Sequence, residues 1–200
     1  MWGKIVFMTI ILLIPSCKIQ IDCPGYPEKY LVWMPYGQGE EFSLTDGIDT
    51  FQLIVETTDI TKAYTIKEYK FLANDCSCVA NSTIASDFLP RILFNSESIG
   101  NYAADFVISF LTPNYEFPNT TQSFQFQDNN GETISTYYPY EHNEILSNYD
   151  NGYKIFNDVI KIESDTLLSD MLIYQICVAK GVGIIQFKDR FNHKTWSLIE

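Results

Sequence analysis

A strict alternation of apolar and polar side chains limits this chain more than any other feature. Along residues 102–111, Tyr102, Ala104, Phe106, Ile108 and Phe110 share one face of an extended backbone, and Asp105 and Ser109 fall on the other. A period of two buries one face and leaves the other in water, which specifies a half-buried antiparallel strand. Turn chemistry cuts much of the remaining chain into similar pieces. Asp46-Gly47 separates Glu41-Phe42-Ser43-Leu44 from the β-rich 48–55, and Asp-Gly supplies the positive φ angles of a tight hairpin. A second hairpin is expected around Asp128-Asn129-Asn130-Gly131, between Ser123-Phe124-Gln125-Phe126 and Thr133-Ile134-Ser135-Thr136-Tyr137, and a third at Asp150-Asn151-Gly152. The aliphatic stretch 170–178 predicts a strand, Lys180-Gly181-Val182-Gly183 a turn, Ile184-Ile185-Gln186-Phe187 the return, and Trp196-Ser197-Leu198-Ile199 a last strand. The one helical candidate, 61–72, has Thr, Tyr and Ile content that suits a strand equally. The expected fold is mainly β: an antiparallel sheet closing as a sandwich or a half-open barrel, with few or no long helices.

The first residues carry a different signal. Lys4 precedes an apolar run over 5–14, followed by Pro15, Ser16 and Cys17. A membrane-spanning helix needs about 20 apolar residues, and this run is broken by Pro15 and soon followed by Lys18, Gln20 and Asp22. Its layout is that of an export signal. Ordinary cleavage after Ser16 would put the large Ile14 where a small residue belongs. Leu13-Ile14-Pro15-Ser16-Cys17 instead resembles a bacterial lipobox, in which the Cys is acylated and becomes the new N-terminus. That resemblance implies a signal peptide at 1–16, a short anchor segment at 17–25 and a single β-rich domain at 26–200. It also implies attachment to a membrane through acyl chains on Cys17, since stable anchoring takes more than one chain. Lys18, rather than Asp, follows the Cys, which in the common bacterial sorting scheme implies the outer membrane.

A second resemblance lies near the other end. Gly152-Tyr153-Lys154-Ile155-Phe156-Asn157-Asp158-Val159-Ile160, then Ile173-Tyr174, then Ala179-Lys180-Gly181-Val182-Gly183-Ile184-Ile185-Gln186-Phe187, is similar to a pattern in small uncharacterised lipoproteins of Bacteroidota. It covers the signal and about the last quarter of the chain, uses apolar and turn residues, and carries no catalytic assignment.

Charge excludes some functions. The chain holds 13 basic and 25 acidic residues, a formal net charge of −12, and loss of residues 1–16 would remove Lys4 and no acid. Nucleic-acid affinity comes largely from Lys and Arg on phosphates, so a nucleic-acid partner is not expected. Neither is a polybasic membrane face. The acids are scattered and read as solvated surface charge.

If Cys17 is acylated, Cys23, Cys76, Cys78 and Cys177 remain, an even number that favours disulfides in an exported protein. Cys76 and Cys78 lie on one face of an extended segment about 6 to 7 Å apart along it, so pairing with each other needs a tight bend. The preferred arrangements join Cys23 to Cys76 or Cys78 and Cys177 to the other. The alternatives are a four-Cys zinc site, a redox pair at Cys76-Ser77-Cys78, and a buried free thiol at Cys177.

Two histidines, His142 and His193, leave little scope for acid–base or metal chemistry, and no catalytic motif is present. Neither is assigned a catalytic role, and no cofactor or metal site is expected. Asp128, Asn130 and Glu132 alternate around Gly131 as calcium ligands would, but a hairpin turn accounts for them better. Tyr137, Tyr138, Tyr140 and His142 form a candidate ligand patch, because consecutive rings beside Pro139 cannot all turn inward. Asn81-Ser82-Thr83 and Asn119-Thr120-Thr121 match the N-glycosylation acceptor, which matters only for a secreted eukaryotic β domain. The expected function is a non-enzymatic envelope lipoprotein that binds an envelope protein, a glycan or a lipid, or serves assembly. A carboxylate-dependent, glycan-directed hydrolase and a purely structural surface component are the alternatives.

Overall fold

The computed structural model describes residues 25–61, 77–85, 91–99, 103–111, 121–129, 133–136, 142–163, 173–189 and 193–199. A single helical turn, α1 (Glu28–Leu31), precedes the strands β1 (Glu41–Thr45), β2 (Thr50–Thr61), β3 (Ser77–Ala85), β4 (Arg91–Ile99), β5 (Ala103–Leu111) and β6 (Thr121–Asn129). There follow β7 (Thr133–Thr136), β8 (His142–Asp150), β9 (Ile155–Glu163), β10 (Ile173–Ala179), β11 (Gly183–Asp189) and β12 (Thr195–Leu198). All twelve form one antiparallel sheet in the order β7-β6-β5-β4-β3-β2-β1-β12-β11-β10-β9-β8, curled into a half-barrel. Of the two closures open to the sequence, the half-open barrel is the one adopted.

Connectivity explains the curl. Among the described residues, every ladder joins strands adjacent in sequence except β1 to β12, where Leu44 faces Leu198 and Thr45 faces Ser197. The two outermost strands, β7 and β8, are therefore consecutive in the chain. A flat sheet of twelve strands is roughly 50 Å wide at about 4.8 Å per strand, whereas residues 137–141 bridge at most roughly 20 Å. The edges must approach, and the sheet bends.

The bend encloses the apolar face that the alternation predicts. Ala104, Phe106, Ile108 and Phe110 of β5 are all buried, facing Ser98, Ser96, Phe94 and Ile92 of β4 and Asp128, Phe126, Phe124 and Gln122 of β6. Phe106 stacks on Phe126 with centroids 4.7 Å apart, and Phe110 meets Phe187 from across the half-barrel at 5.7 Å. The remaining volume is filled by a segment with no strand or helix period in the sequence. Residues 26–36 bring Tyr26, Tyr30, Trp33, Met34 and Tyr36 into this core, each buried. Trp33 meets Phe126 edge-on at 5.8 Å and donates its Nε1–H to Asp128 Oδ2 at 2.8 Å. Tyr36 packs beside Phe94 and accepts the Ile184 N–H at 2.7 Å through its hydroxyl oxygen.

The hairpins fall where turn residues predict them, with one difference of geometry. Between β1 and β2 only Gly47 has positive φ, at 90°, so the connection is not a two-residue Asp-Gly turn. It is a four-residue loop, 46–49, closed by the Asp46 carboxylate, which accepts the N–H of Ile48 at 2.9 Å and of Asp49 at 2.7 Å. Asp side chains mimic a backbone turn in this way. Asn151 acts similarly between β8 and β9, accepting the N–H groups of Tyr153 and Lys154 at 3.0 and 2.9 Å.

Strands β10 to β12 are buried on both faces. Their inner face is the half-barrel core. Their other face is covered by the β8–β9 hairpin, which bends at Asp158, a non-glycine residue at φ 51°. The hairpin tip then reaches β11 and β12, where Asn151 Nδ2 donates to Leu198 O at 2.8 Å and Ile185 O at 3.3 Å.

Candidate functional site

A recess lies across the middle of β3, β4, β5 and β6, with a cavity volume of about 710 Å³. Its side chains follow from the same period of two that builds the core. Ala80, Ser96, Phe106 and Phe126 point inward, so their neighbours Val79, Asn81, Asn95, Glu97, Asp105, Val107 and Gln125 point out. Antiparallel register sets them in two rows. One row runs Asn81, Asn95, Val107, Gln125; the other runs Val79, Glu97, Asp105, Gln127.

Four carboxamides therefore meet two carboxylates over a floor partly made by two valines. Gln127 Nε2 donates to Asp105 Oδ1 at 2.6 Å and orients that carboxylate. Glu97 and Asp105 are direct cross-strand partners, a placement that costs energy when both are charged and that favours whatever donates hydrogen bonds to them. Carboxamides offer both donors and acceptors, so the lining can donate as well as accept hydrogen bonds.

No protein-family model, curated protein or solved structure matches this chain.

A smaller recess of about 330 Å³ lies where Tyr36, Phe42, Glu40 and Glu41 meet the β10–β11 turn. Tyr36 and Phe42 stack there at 5.7 Å. Glu40 Oε2 is engaged by the Gly37 N–H at 2.8 Å and Glu41 by Gln52, so its polar groups serve the local fold.

The sites expected from sequence fare unequally. Cys17, Cys23, Cys76, Tyr137, Tyr138 and Tyr140 lie outside the described residues, and His142 is the first residue of β8, opposite Glu163. Cys78 is buried on the inner face of β3, opposite Ser98. Of the two readings of Cys177, disulfide partner and buried free thiol, the structure has the buried free thiol. It faces away from the half-barrel core, opposite Gln186, while Cys78 faces into it. Gln175 Nε2 donates to its Sγ at 3.5 Å, and burial pushes the Cys177 thiol up in pKa. Burial likewise raises the Tyr149 phenol, which donates to Gln186 Oε1 over the same face. This polar layer under the β8–β9 hairpin is closed to solvent and reads as a structural seam.

Asp128 also turns inward to Trp33, so it does not face the loop that follows it as a calcium ligand would. The described residues hold no group of three or more His, Cys, Asp or Glu side chains placed for a metal ion. His193 is exposed in the turn before β12, at φ 52°. Asn81 sits mid-strand, paired with both β2 and β4, whereas a glycosylation acceptor belongs in a surface loop. The recess itself escaped the sequence reading except for the outward direction of Asp105. Its residues come from four strands, and nothing local marks Asn81, Asn95 and Gln125 as neighbours.

Proposed function

We propose that this chain is a lipid-anchored protein of the bacterial envelope, directed to the outer membrane, that binds a neutral hydroxyl-rich ligand such as a glycan without altering it chemically. The observation that supports this most is the recess across β3–β6, where Asn81, Asn95 and Gln125 are held in register beside Glu97 and Asp105. Carboxamides and carboxylates pair with sugar hydroxyls as both donor and acceptor, and Val79 and Val107 offer apolar contact for the C–H face of a ring. Two carboxylates with no basic side chain among the lining residues repel phosphorylated, sulfated or carboxylated ligands. The anchor follows from the lipobox pattern ending at Cys17. Gly25 lies eight positions after Cys17, at most about 28 Å of chain, so an acylated Cys17 holds the domain close to the bilayer.

Binding is tested by titrating the chain with neutral and anionic oligosaccharides from envelope material. Neutral ones are expected to bind, and Asn95→Ala is expected to weaken them about tenfold, the loss of one or two hydrogen bonds. Equal affinity for anionic sugars would remove the recess as the site. Intact-mass measurement of the membrane-purified protein tests the anchor: loss of residues 1–16 with added acyl mass is expected, and an unmodified N-terminus elsewhere would overturn it.

One observation favours a second reading, a carboxylate-dependent glycan hydrolase. Glu97 and Asp105 face each other across adjacent strands, and such enzymes need two carboxyl groups roughly 5 to 9.5 Å apart. Under that reading a bound glycan is cleaved, and Glu97→Gln or Asp105→Asn abolishes product while leaving affinity nearly unchanged. Under the binding reading the unaltered chain releases no product.

A further inference from the structure

We infer that β8 is a docking edge for a second copy of this chain, the two β8 strands pairing antiparallel about a two-fold axis through Ile145. Among the described residues, the strand ends the sheet order and has a ladder with β9 alone. It is nine residues long, more than the roughly five or six of a typical strand. Native edges are normally guarded by Lys, Pro or brevity. β8 contains no Lys and no Pro, and its mid-strand acid, Glu144, is drawn to Lys161 of β9 at 3.5 Å.

The inner apolar layer also runs one strand too far. Register places Val178 of β10, Ile160 of β9 and Ile145 of β8 in one row. Val178 and Ile160 are fully buried, whereas Ile145 is 59% exposed. Another strand laid along β8 would cover Ile145 and take up the backbone groups that β9 does not use.

The sequence of β8 complements itself. Pairing about Ile145 sets Ile145 against its symmetry mate, Glu144 against Leu146, and Asn143 against Ser147. No charged side chain meets a like charge, and β-branched cross-strand pairs are favourable. Because each residue of one strand meets the same pairing partner in the other, the contact closes as a dimer instead of growing into a fibre. Each copy carries a formal charge of −12, so the contact strengthens as salt screens the repulsion.

The test is sedimentation velocity of the full chain in detergent, across a concentration series at low and high salt. A monomer–dimer equilibrium shifting toward dimer with salt is expected, and Ile145→Lys is expected to lose the dimer while keeping the parent melting temperature, since the side chain is exposed. Register is read by cross-linking. Ile145→Cys lies opposite its mate and should give a covalent dimer under mild oxidation, above the level of the unsubstituted chain. Ser147→Cys, roughly 13 Å from its mate along the strand, should not. A chain that stays monomeric throughout, or equal cross-linking of the two variants, would overturn the proposal. The first outcome would leave the edge to a foreign strand or to closure by β7.

Discussion

Lys194 binds the two ends of the β1–β2 loop to the start of β12. Its ammonium lies 2.7 Å from Asp46 and 2.8 Å from Asp49, over the ring of Trp196. The hydrogen bond from Lys194, with the N–H groups of Asp49 and Ile48 behind it, lowers the Asp46 pKa to about 2. The two carboxylates raise Lys194 to about 12. A depressed carboxylate stabilises the fold fully above its unfolded pKa, and the benefit disappears as pH falls through the folded one. The melting-temperature advantage of the parent over Asp46→Asn is therefore expected to hold at pH 5 and above and to shrink between about pH 4 and 2. At the alkaline end a raised lysine works in reverse, its benefit being complete below its unfolded value of 10.5 and fading as pH passes about 12. Asn151 makes a similar tie without charge. Replacing it with Ala removes both donors to Leu198 and Ile185 and the acceptor for two turn amides, an expected loss of about 2 to 3 kcal/mol in urea unfolding. Asn151→Asp keeps the acceptor but turns a second carboxylate oxygen toward two carbonyls, so it should be at least as damaging.

Among the elements, the β8–β9 hairpin behaves as a cover. Its tip is tied to β11 and β12 by polar contacts, through Asn151, Tyr149 and Gln186, and beneath it lies the fully buried Cys177. Such a flap opens locally at lower cost than the whole domain. Thiol labelling of the Cys177 peptide, followed by mass, is expected to be slow in the parent and at least tenfold faster in Asn151→Ala. Unchanged labelling in that variant would mean that Cys177 is exposed only by global unfolding. The inner segment 26–36 makes the opposite kind of contact, mostly apolar, with Trp33 as its anchor. Trp33→Phe keeps a ring against Phe126 but drops the Nε1 donor to Asp128, an expected cost of about 1.5 to 3 kcal/mol for a hydrogen bond to a carboxylate. Strand β5 shows how directly an element is written in the chain. The face that alternation assigns to Ala104, Phe106, Ile108 and Phe110 is the buried face. Segment 26–36 shows the reverse, since its shape is imposed by the space it fills and carries no period of its own.

At the scale of the molecule, one short seam joins two meanders. Strands β1 to β7 and β8 to β12 each pair in chain order, and among the described residues the β1–β12 ladder is the one that joins them. Leu44 and Leu198 meet there from distant parts of the chain, so loop-closure entropy makes this pairing a late event in folding. Leu198→Ala is expected to speed unfolding while leaving the refolding rate nearly unchanged, a φ-value near zero in stopped-flow kinetics. What the sequence by itself determined is local: the alternation that buries one face of each strand, and the Asp, Asn and Gly residues that turn one strand into the next. Those interactions act between near neighbours, so they are legible in order. The tertiary structure alone decided that the sheet closes through β1 and β12. It alone also decided that Cys177 is sealed under a hairpin, and that Asn81, Asn95, Glu97, Asp105 and Gln125 share one recess. Each depends on which distant strands pair and in what register, and a period of two is the same whichever neighbours a strand acquires.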